Sequence, residues 1–371
     1  MESLKVKGSY TNTMKVIFIP DYSRGNPYQK SLADSLAKEG VEVSFSPFSA
    51  LRSRKGLWSW KPDVLHLHWL HPFLMASSKA KTILKSVSFL CELLIVKLVG
   101  IKIIWTVHNI VSHEGNFSSL EFFFRKLLAR LCNKIIVHSS SAKNEVINIY
   151  GARESLITVI PHGNYIDSYE NVVSEAQARK QLQLSTEVIA FLYFGQIRPY
   201  KGVPELIEAF KELNYPQTKL LIAGKPLNDE VAQNLLKGCK GNKNIKTFFE
   251  FIPDDEIQVY MNASDIVVLP YKDILTSGAV ILEMSFGKPI IAPAIGCIPD
   301  VLDCEGSILY DPSEKEGLLK AMKQALDANL KKMGEHNFEL AKHLRWDEIA
   351  KRTYEVYQEC LKGKEKGDSA R

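Results

Sequence analysis

Short runs of β-branched and other apolar residues alternate along the chain with longer amphipathic segments, and the alternation occurs twice. In the first half the runs "KVIFIP", "VEVSF", "DVLHLHW", "KIIWTVH", "KIIVHS" and "ITVIP" predict strands, with helix-like stretches between them such as residues 28–39 and 120–132. In the second half the strand candidates are "VIAFLYFG", "TKLLIAG", "IKTFFEF", "IVVLPY", "PIIAP" and "SILYD". Strands alternating with helices imply parallel sheets, so the pattern predicts an α/β protein of two doubly wound, Rossmann-like domains facing a central cleft. The polar segment "IDSYENVVSEA", residues 166–176, lacks strand alternation and divides the two sets. The expected division is 1–170, 171–345, and a third segment, 346–371, made of a final helix beginning near Trp346 and a polar tail. The tail after Glu365 is expected to be disordered. In sheets of this kind ligands bind beyond the carboxyl ends of the strands, so the loops that follow strands are where chemistry is to be sought.

Composition narrows this picture only modestly. With 371 residues, 46% hydrophobic and 24% charged, the chain can bury two cores. A net charge of +5 without one long basic run does not single out nucleic acid as a partner. Six cysteines without a CxxC pair fit reduced thiols better than a disulfide frame or a zinc site. "MESLKVKGSYTNT" lacks the apolar core of a secretory signal, which leads to the expectation of a cytoplasmic protein. The most apolar stretch, residues 87–105, is interrupted by Glu92, Lys97, Gly100 and Lys102, short of the roughly 18 clean apolar residues of a spanning helix.

The stretch "LTSGAVILEMSFGKPIIAP" carries candidate chemistry. Residues 277–286 read as a helix stopped by Gly287, so Ser277 and Gly278 open it. A helix start presents unpaired N–H groups and the positive end of the dipole, and glycine lets a ligand approach the backbone. Simple N-capping by Thr276 or Ser277 explains the same residues. Glu283, in an otherwise uncharged helix, is either paired within the protein or meant for a polar ligand. "FGQIRPYKGVPELIEAF" places Arg198 and Lys201 in a loop after the first strand of the second half, where two cations can clamp a diphosphate.

Taken in order, "FGQIRPYKG", "LLIAG", "ASDIVVLPY" and "SGAVILEMSFGKPIIAP" resemble the second domain of the retaining GT-B glycosyltransferases of family 4. The resemblance implies transfer of a hexose from a UDP- or GDP-sugar, with retention and without a metal or other cofactor. It implies that Arg198 and Lys201 hold the donor diphosphate, that Glu283 accepts hydrogen bonds from the nucleotide ribose, and that Thr276, Ser277, Gly278 and Ala279 turn backbone N–H groups toward sugar or phosphate. It also implies that the final helix packs back across the cleft onto the first domain. One position departs: the family's first glutamate would stand eight residues before Glu283, where this chain has Leu275.

On the first half the resemblance places Gly25, in "PDYSRGNPY", near the donor phosphates with Tyr28 close by, although a turn closed by Gly25 and Pro27 accounts for the same pattern. It places His108, at the end of "IIWTVH", beside the reacting sugar as a catalytic candidate with Arg198 and Lys201. His162, in "IPHGNY", stands where the family enters its hinge. His66, His68 and His71 in "LHLHWLHP" lack nearby carboxylate or cysteine partners, so His68 is expected to line the acceptor cleft rather than bind metal. Two stretches, 79–100 and 121–134, join apolar residues to Lys79, Lys81, Lys85, Arg125, Lys126, Arg130 and Lys134. That combination suits an anionic membrane surface, or else a core-facing helix with a basic solvent side. The expectation is therefore a hexosyltransferase, peripheral on the inner face of the cell membrane, acting on a lipid-linked or oligosaccharide acceptor in polysaccharide or glycolipid synthesis. The rivals are a sugar-nucleotide epimerase, which would need an acid and base pair, and a non-catalytic nucleotide-sugar-binding subunit, which Leu275 would suit. A dehydrogenase is disfavoured because no GxGxxG follows "KVIFIP".

Overall fold

A computed structural model describes residues 13–46, 60–111 and 117–362, so the expectations for the first residues and for the tail after Glu365 lie outside the described residues. Every apolar run named above contains a strand. The first half holds β1 (Met14–Ile19), β2 (Val41–Phe45), β3 (Val64–Leu67), β4 (Lys102–Thr106), β5 (Lys134–Val137) and β6 (Ile157–Val159). The second holds β7 (Ile189–Phe194), β8 (Thr218–Ala223), β9 (Ile245–Phe248), β10 (Ile266–Val268), β11 (Ile290–Pro293) and β12 (Ser307–Tyr310). The strands form two sheets of order β2-β1-β3-β4-β5-β6 and β12-β11-β10-β7-β8-β9. All ladders within them are parallel.

Each sheet reverses direction once, between β1 and β3 in the first and between β7 and β10 in the second. The two reversals open a crevice at the carboxyl ends of those four strands. The loops there carry Gly25 after β1, His68 after β3, Arg198 and Lys201 after β7, and Thr276 to Ala279 beyond β10.

Alternate residues of the strands enter different cores. Ile17, Leu65, Leu67, Ile103 and Trp105 pack with the helices Lys79–Leu98 and Ser118–Leu131. Val16, Phe18, Val64 and Ile104 pack against the helices Pro27–Lys38 and Trp346–Lys362. The last helix thus returns to the first sheet, inserting Ile349, Ala350, Val356 and Tyr357 into its core. Trp346 holds the start of that helix by donating its Nε1–H to the Asn164 carbonyl at 2.7 Å.

The two halves meet closely. Thr276 Oγ1 donates to the His108 carbonyl at 2.6 Å, and Ser141 donates to Asp300 through its backbone N–H at 2.8 Å and its hydroxyl at 3.0 Å. Leu275 and Cys297, from the second half, are buried in the apolar core of the first. Among the described residues no helix is long and apolar enough to cross a membrane.

Candidate functional site

The ends of β7 and β10 build one wall of the crevice. Arg198, in extended conformation, leads into a 3-10 turn, Pro199–Lys201, which Gly202 ends at φ +72°. A Cβ at Gly202 would lie 1.7 Å from the Pro270 carbonyl oxygen, so this turn can seat against the end of β10 only with glycine. The close approach lays the Lys201 ammonium on the Tyr271 ring, 4.1 Å from its centroid. The Tyr271 hydroxyl lies 3.1 Å from Ser277 Oγ, and Ser277 caps the helix Gly278–Ser285 by accepting from the Val280 N–H. Capping therefore holds for Ser277; Thr276 instead bridges to the first half.

One turn into that helix, Glu283 is fully buried, and among the described residues neither carboxylate oxygen has a hydrogen-bond partner. Burial pushes its carboxyl well above the usual carboxylate range, offset only in part by Lys201. Burial likewise brings the Lys201 ammonium down to about 8, with Glu283 opposing the fall and Arg198 adding to it. Two groups of opposite sign thus sit in one apolar environment, each held toward its neutral form. Arg198 is tied to the loop carbonyls of Ile197 and Lys225, at 3.1 and 3.4 Å.

The opposite wall is made of imidazoles. His68, His108 and His138 follow β3, β4 and β5, three strands adjacent in the sheet, and all three are buried. Their ring nitrogens meet in series: His68 Nδ1 to His108 Nε2 at 3.3 Å, and His108 Nδ1 to His138 Nε2 at 3.4 Å. The Tyr28 ring packs edge-on against His68, His108 and His138 and tilts onto His162, 4.8 Å away. Trp69 stacks on His108 with centroids 4.2 Å apart. Burial lowers all of these histidines below their usual value, His138 to about 4 and His66 and His162 to about 3. His66 belongs to the core, bonded at 2.7 Å to both the Tyr357 hydroxyl and Thr106 Oγ1.

Between the walls, His138, His162, Thr276 and Ser277 line a cavity of about 40 Å³. That is room for a water or two, whereas sites for small ligands run to several hundred Å³. Gly278 faces the hinge: a Cβ there would stand 3.3 Å from the Tyr165 hydroxyl and 3.8 Å from His162 Nε2. The space at Gly25 is open, with no described atom within 4 Å of where its Cβ would stand. Among the described residues no group of three or more His, Cys, Asp or Glu side chains is placed to hold a metal ion.

The family model "Glycosyl transferases group 1" matches residues 174–343, and the "Glycosyltransferase Family 4" model matches residues 38–166. This chain is a glycosyltransferase of the family 4 type. A GDP-mannose:glycolipid 4-beta-D-mannosyltransferase of Xanthomonas campestris pv. campestris is 27% identical to it over 93% of this chain and 91% of its own. A D-inositol 3-phosphate glycosyltransferase of Streptomyces bingchenggensis is 25% identical over 62% of this chain and 54% of its own. Among solved structures, the sucrose-phosphate synthase of Thermosynechococcus elongatus superposes with a TM-score of 0.74 at 17% identity, covering 94% of this chain and all of its own. Anabaena HepE, in complex with UDP, has a TM-score of 0.72 at 17% identity, covering 93% of this chain and 100% of its own. These likenesses establish the GT-B fold of the glycosyltransferase.

Of the residues singled out from sequence, Lys201, Ser277 and Glu283 share one wall with Arg198, while Tyr28, His68, His108 and His162 share the other. Two side chains went unnoticed in the sequence, His138 and Tyr271. The signal for His138 was available, since "LHLH", "TVH" and "IIVH" each set a histidine just past an apolar run. Nothing local distinguishes Tyr271, which matters through its contact with Lys201. Three of the basic residues that suited either a membrane surface or a core-facing helix with a basic solvent side make contacts within the protein. Arg125 is buried on Glu121 at 2.6 Å, Lys134 pairs with Glu359 at 2.9 Å, and Lys85 donates to the Met75 carbonyl at 3.0 Å.

Proposed function

We propose that this enzyme transfers a hexose from a nucleotide-diphosphate sugar, GDP-mannose foremost, to a lipid-linked acceptor. The observation that carries the donor reading is Glu283, a buried carboxyl without a partner beside Lys201 and a helix start. A nucleotide ribose would supply the missing donors, since a buried polar group left unpaired is costly and a ligand hydroxyl removes that cost. The diphosphate would lie against Arg198, Lys201 and the N–H groups at Ser277 to Ala279, and its charge would return Lys201 to the fully protonated form. These groups stabilise negative charge as the glycosidic bond breaks, a task that the two cations and the helix start perform without a metal.

The acceptor reading draws on the helix Lys79–Leu98. Its inner side is buried, yet Ile83, Leu84, Val87, Leu94, Ile95 and Leu98 are exposed, with Val99 and Phe123 beside them. An exposed apolar face of this size calls for an apolar cover, and Lys79, Lys81, Lys126 and Arg130, on this helix and on Ser118–Leu131, are exposed as well. An anionic membrane surface supplies both the cover and the counter-charge, and a lipid-linked acceptor would reside there. The glycolipid in the Xanthomonas enzyme's name agrees with this.

Stereochemistry divides the two sources of analogy. The motif resemblance implies retention; a β-mannoside made from the α-linked sugar of GDP-mannose implies inversion. Calorimetry with GDP and UDP, on the wild type and Glu283→Ala, tests the donor site. One nucleotide should bind, with affinity falling by about 1–3 kcal/mol in the variant. Equal affinity in the two proteins would remove Glu283 from the site.

A further inference from the structure

The three strand-end histidines have one consistent arrangement of protons. His138 Nδ1 lies 3.0 Å from the Ile160 carbonyl, which only accepts, so Nδ1 carries the proton and the neutral ring's Nε2 is an acceptor. His108 Nδ1, 3.4 Å from that Nε2, must then donate, leaving His108 Nε2 as an acceptor. His68 Nδ1, 3.3 Å away, donates to it in turn. The series ends at His68 Nε2, a lone pair that is buried and, among the described residues, has no partner. The two ends lie in different places: His68 lines a small cavity with Trp69, His71, Asn109 and Arg125, while His138 lines the cavity against Thr276 and Ser277.

We propose that His68, His108 and His138 form a proton relay that takes the acceptor's hydroxyl proton during transfer. The inference rests on the GDP-mannose reading above and deepens it, because transfer with inversion requires a base on the acceptor's side of the sugar. The acceptor oxygen forms its bond to the anomeric carbon as the bond from that carbon to the diphosphate oxygen breaks, its electron pair leaving with the diphosphate. The hydroxyl proton binds His68 Nε2, the His68 Nδ1 proton passes to His108 Nε2, and the His108 Nδ1 proton passes to His138 Nε2. His138 ends as an imidazolium, its Nδ1–H still on the Ile160 carbonyl, facing the helix start where the newly anionic diphosphate lies. Positive charge thereby moves from the acceptor side to the leaving group. Burial, with neighbouring imidazoles adding to it at His68 and His108, holds the three rings in their neutral forms before reaction.

The decisive experiment pairs turnover with product analysis. With the full chain, GDP-mannose and a lipid-linked acceptor, the wild type should yield a β-linked product by NMR. His68→Gln keeps a donor for His108 but cannot pass a proton, so kcat should fall about 10²-fold or more while the donor KM and the GDP affinity stay within about twofold. His138→Gln should behave alike, and added imidazole should restore part of the rate of His68→Ala. An α-linked product, or His68→Gln at near wild-type kcat, overturns the relay and leaves the donor and acceptor classes standing. If another nucleotide sugar is turned over in place of GDP-mannose, the donor reading fails and the relay is judged by the same variants on that donor. Nitrogen-15 spectra of histidine-labelled wild type give a check that needs no variant to fold. All three rings should be Nδ1–H tautomers, and one Nε2–H ring among them breaks the relay.

Discussion

Glu283 and the buried histidines oppose each other in how they link stability to pH. Glu283 keeps its proton when folded and loses it when unfolded above the usual carboxylate pKa of about 4.3, so its contribution falls as pH rises from there. Glu283→Gln has no such term, and its stability advantage over the wild type should grow between pH 4.5 and 8 in urea unfolding without ligand. A constant difference would mean that the carboxyl ionises freely. His66, His68, His108 and His138 have depressed values when folded, so their unfolded forms bind the extra protons below about pH 6.5. The wild type should lose stability steeply as pH falls from 6.5 toward 4, each histidine contributing up to about 1.4 kcal/mol per pH unit. Flat unfolding midpoints across that window would show the rings to be solvated.

At the scale of elements, the turn after β7 and the loop before the helix Gly278–Ser285 position the site. Gly202→Ala would force a methyl into the Pro270 carbonyl at φ +72°. The variant should lose more than about 1 kcal/mol and lift Lys201 from Tyr271, which thermal unfolding and nucleotide affinity would register together. Leu275 is buried in the first half's core although it belongs to the second. Restoring a carboxylate with Leu275→Glu should therefore cost about 2–5 kcal/mol and lower turnover. A gain in turnover at unchanged stability would show that the apolar side chain is no part of how the cleft closes. These elements were legible because their periodicity is local: every apolar run contains a strand, and Gly287 ends its helix at φ +64°. The Tyr271 contact was not legible, because it depends on β7 and β10 lying side by side.

Across the whole molecule, the exposed apolar face of the Lys79–Leu98 helix belongs to the first half while the crevice lies between the halves, so the two can be tested separately. Leu84→Glu with Leu98→Glu should abolish co-sedimentation with anionic vesicles while leaving nucleotide affinity unchanged. Loss of nucleotide binding in that pair would mean that the face is structural. The amino-acid sequence by itself determined the twofold α/β pattern, the loops where chemistry gathers and the family, since each follows from local periodicity and from motifs that are contiguous in the chain. It left open whether Arg125 faces a membrane or the solvent side of a core-facing helix, where the structure instead buries it on Glu121, and whether three histidines 30 and 40 residues apart ever meet. Only the tertiary structure decided these, because strand order and the closure of one half on the other set which strand ends are neighbours, and hydrogen bonds and desolvation act through space.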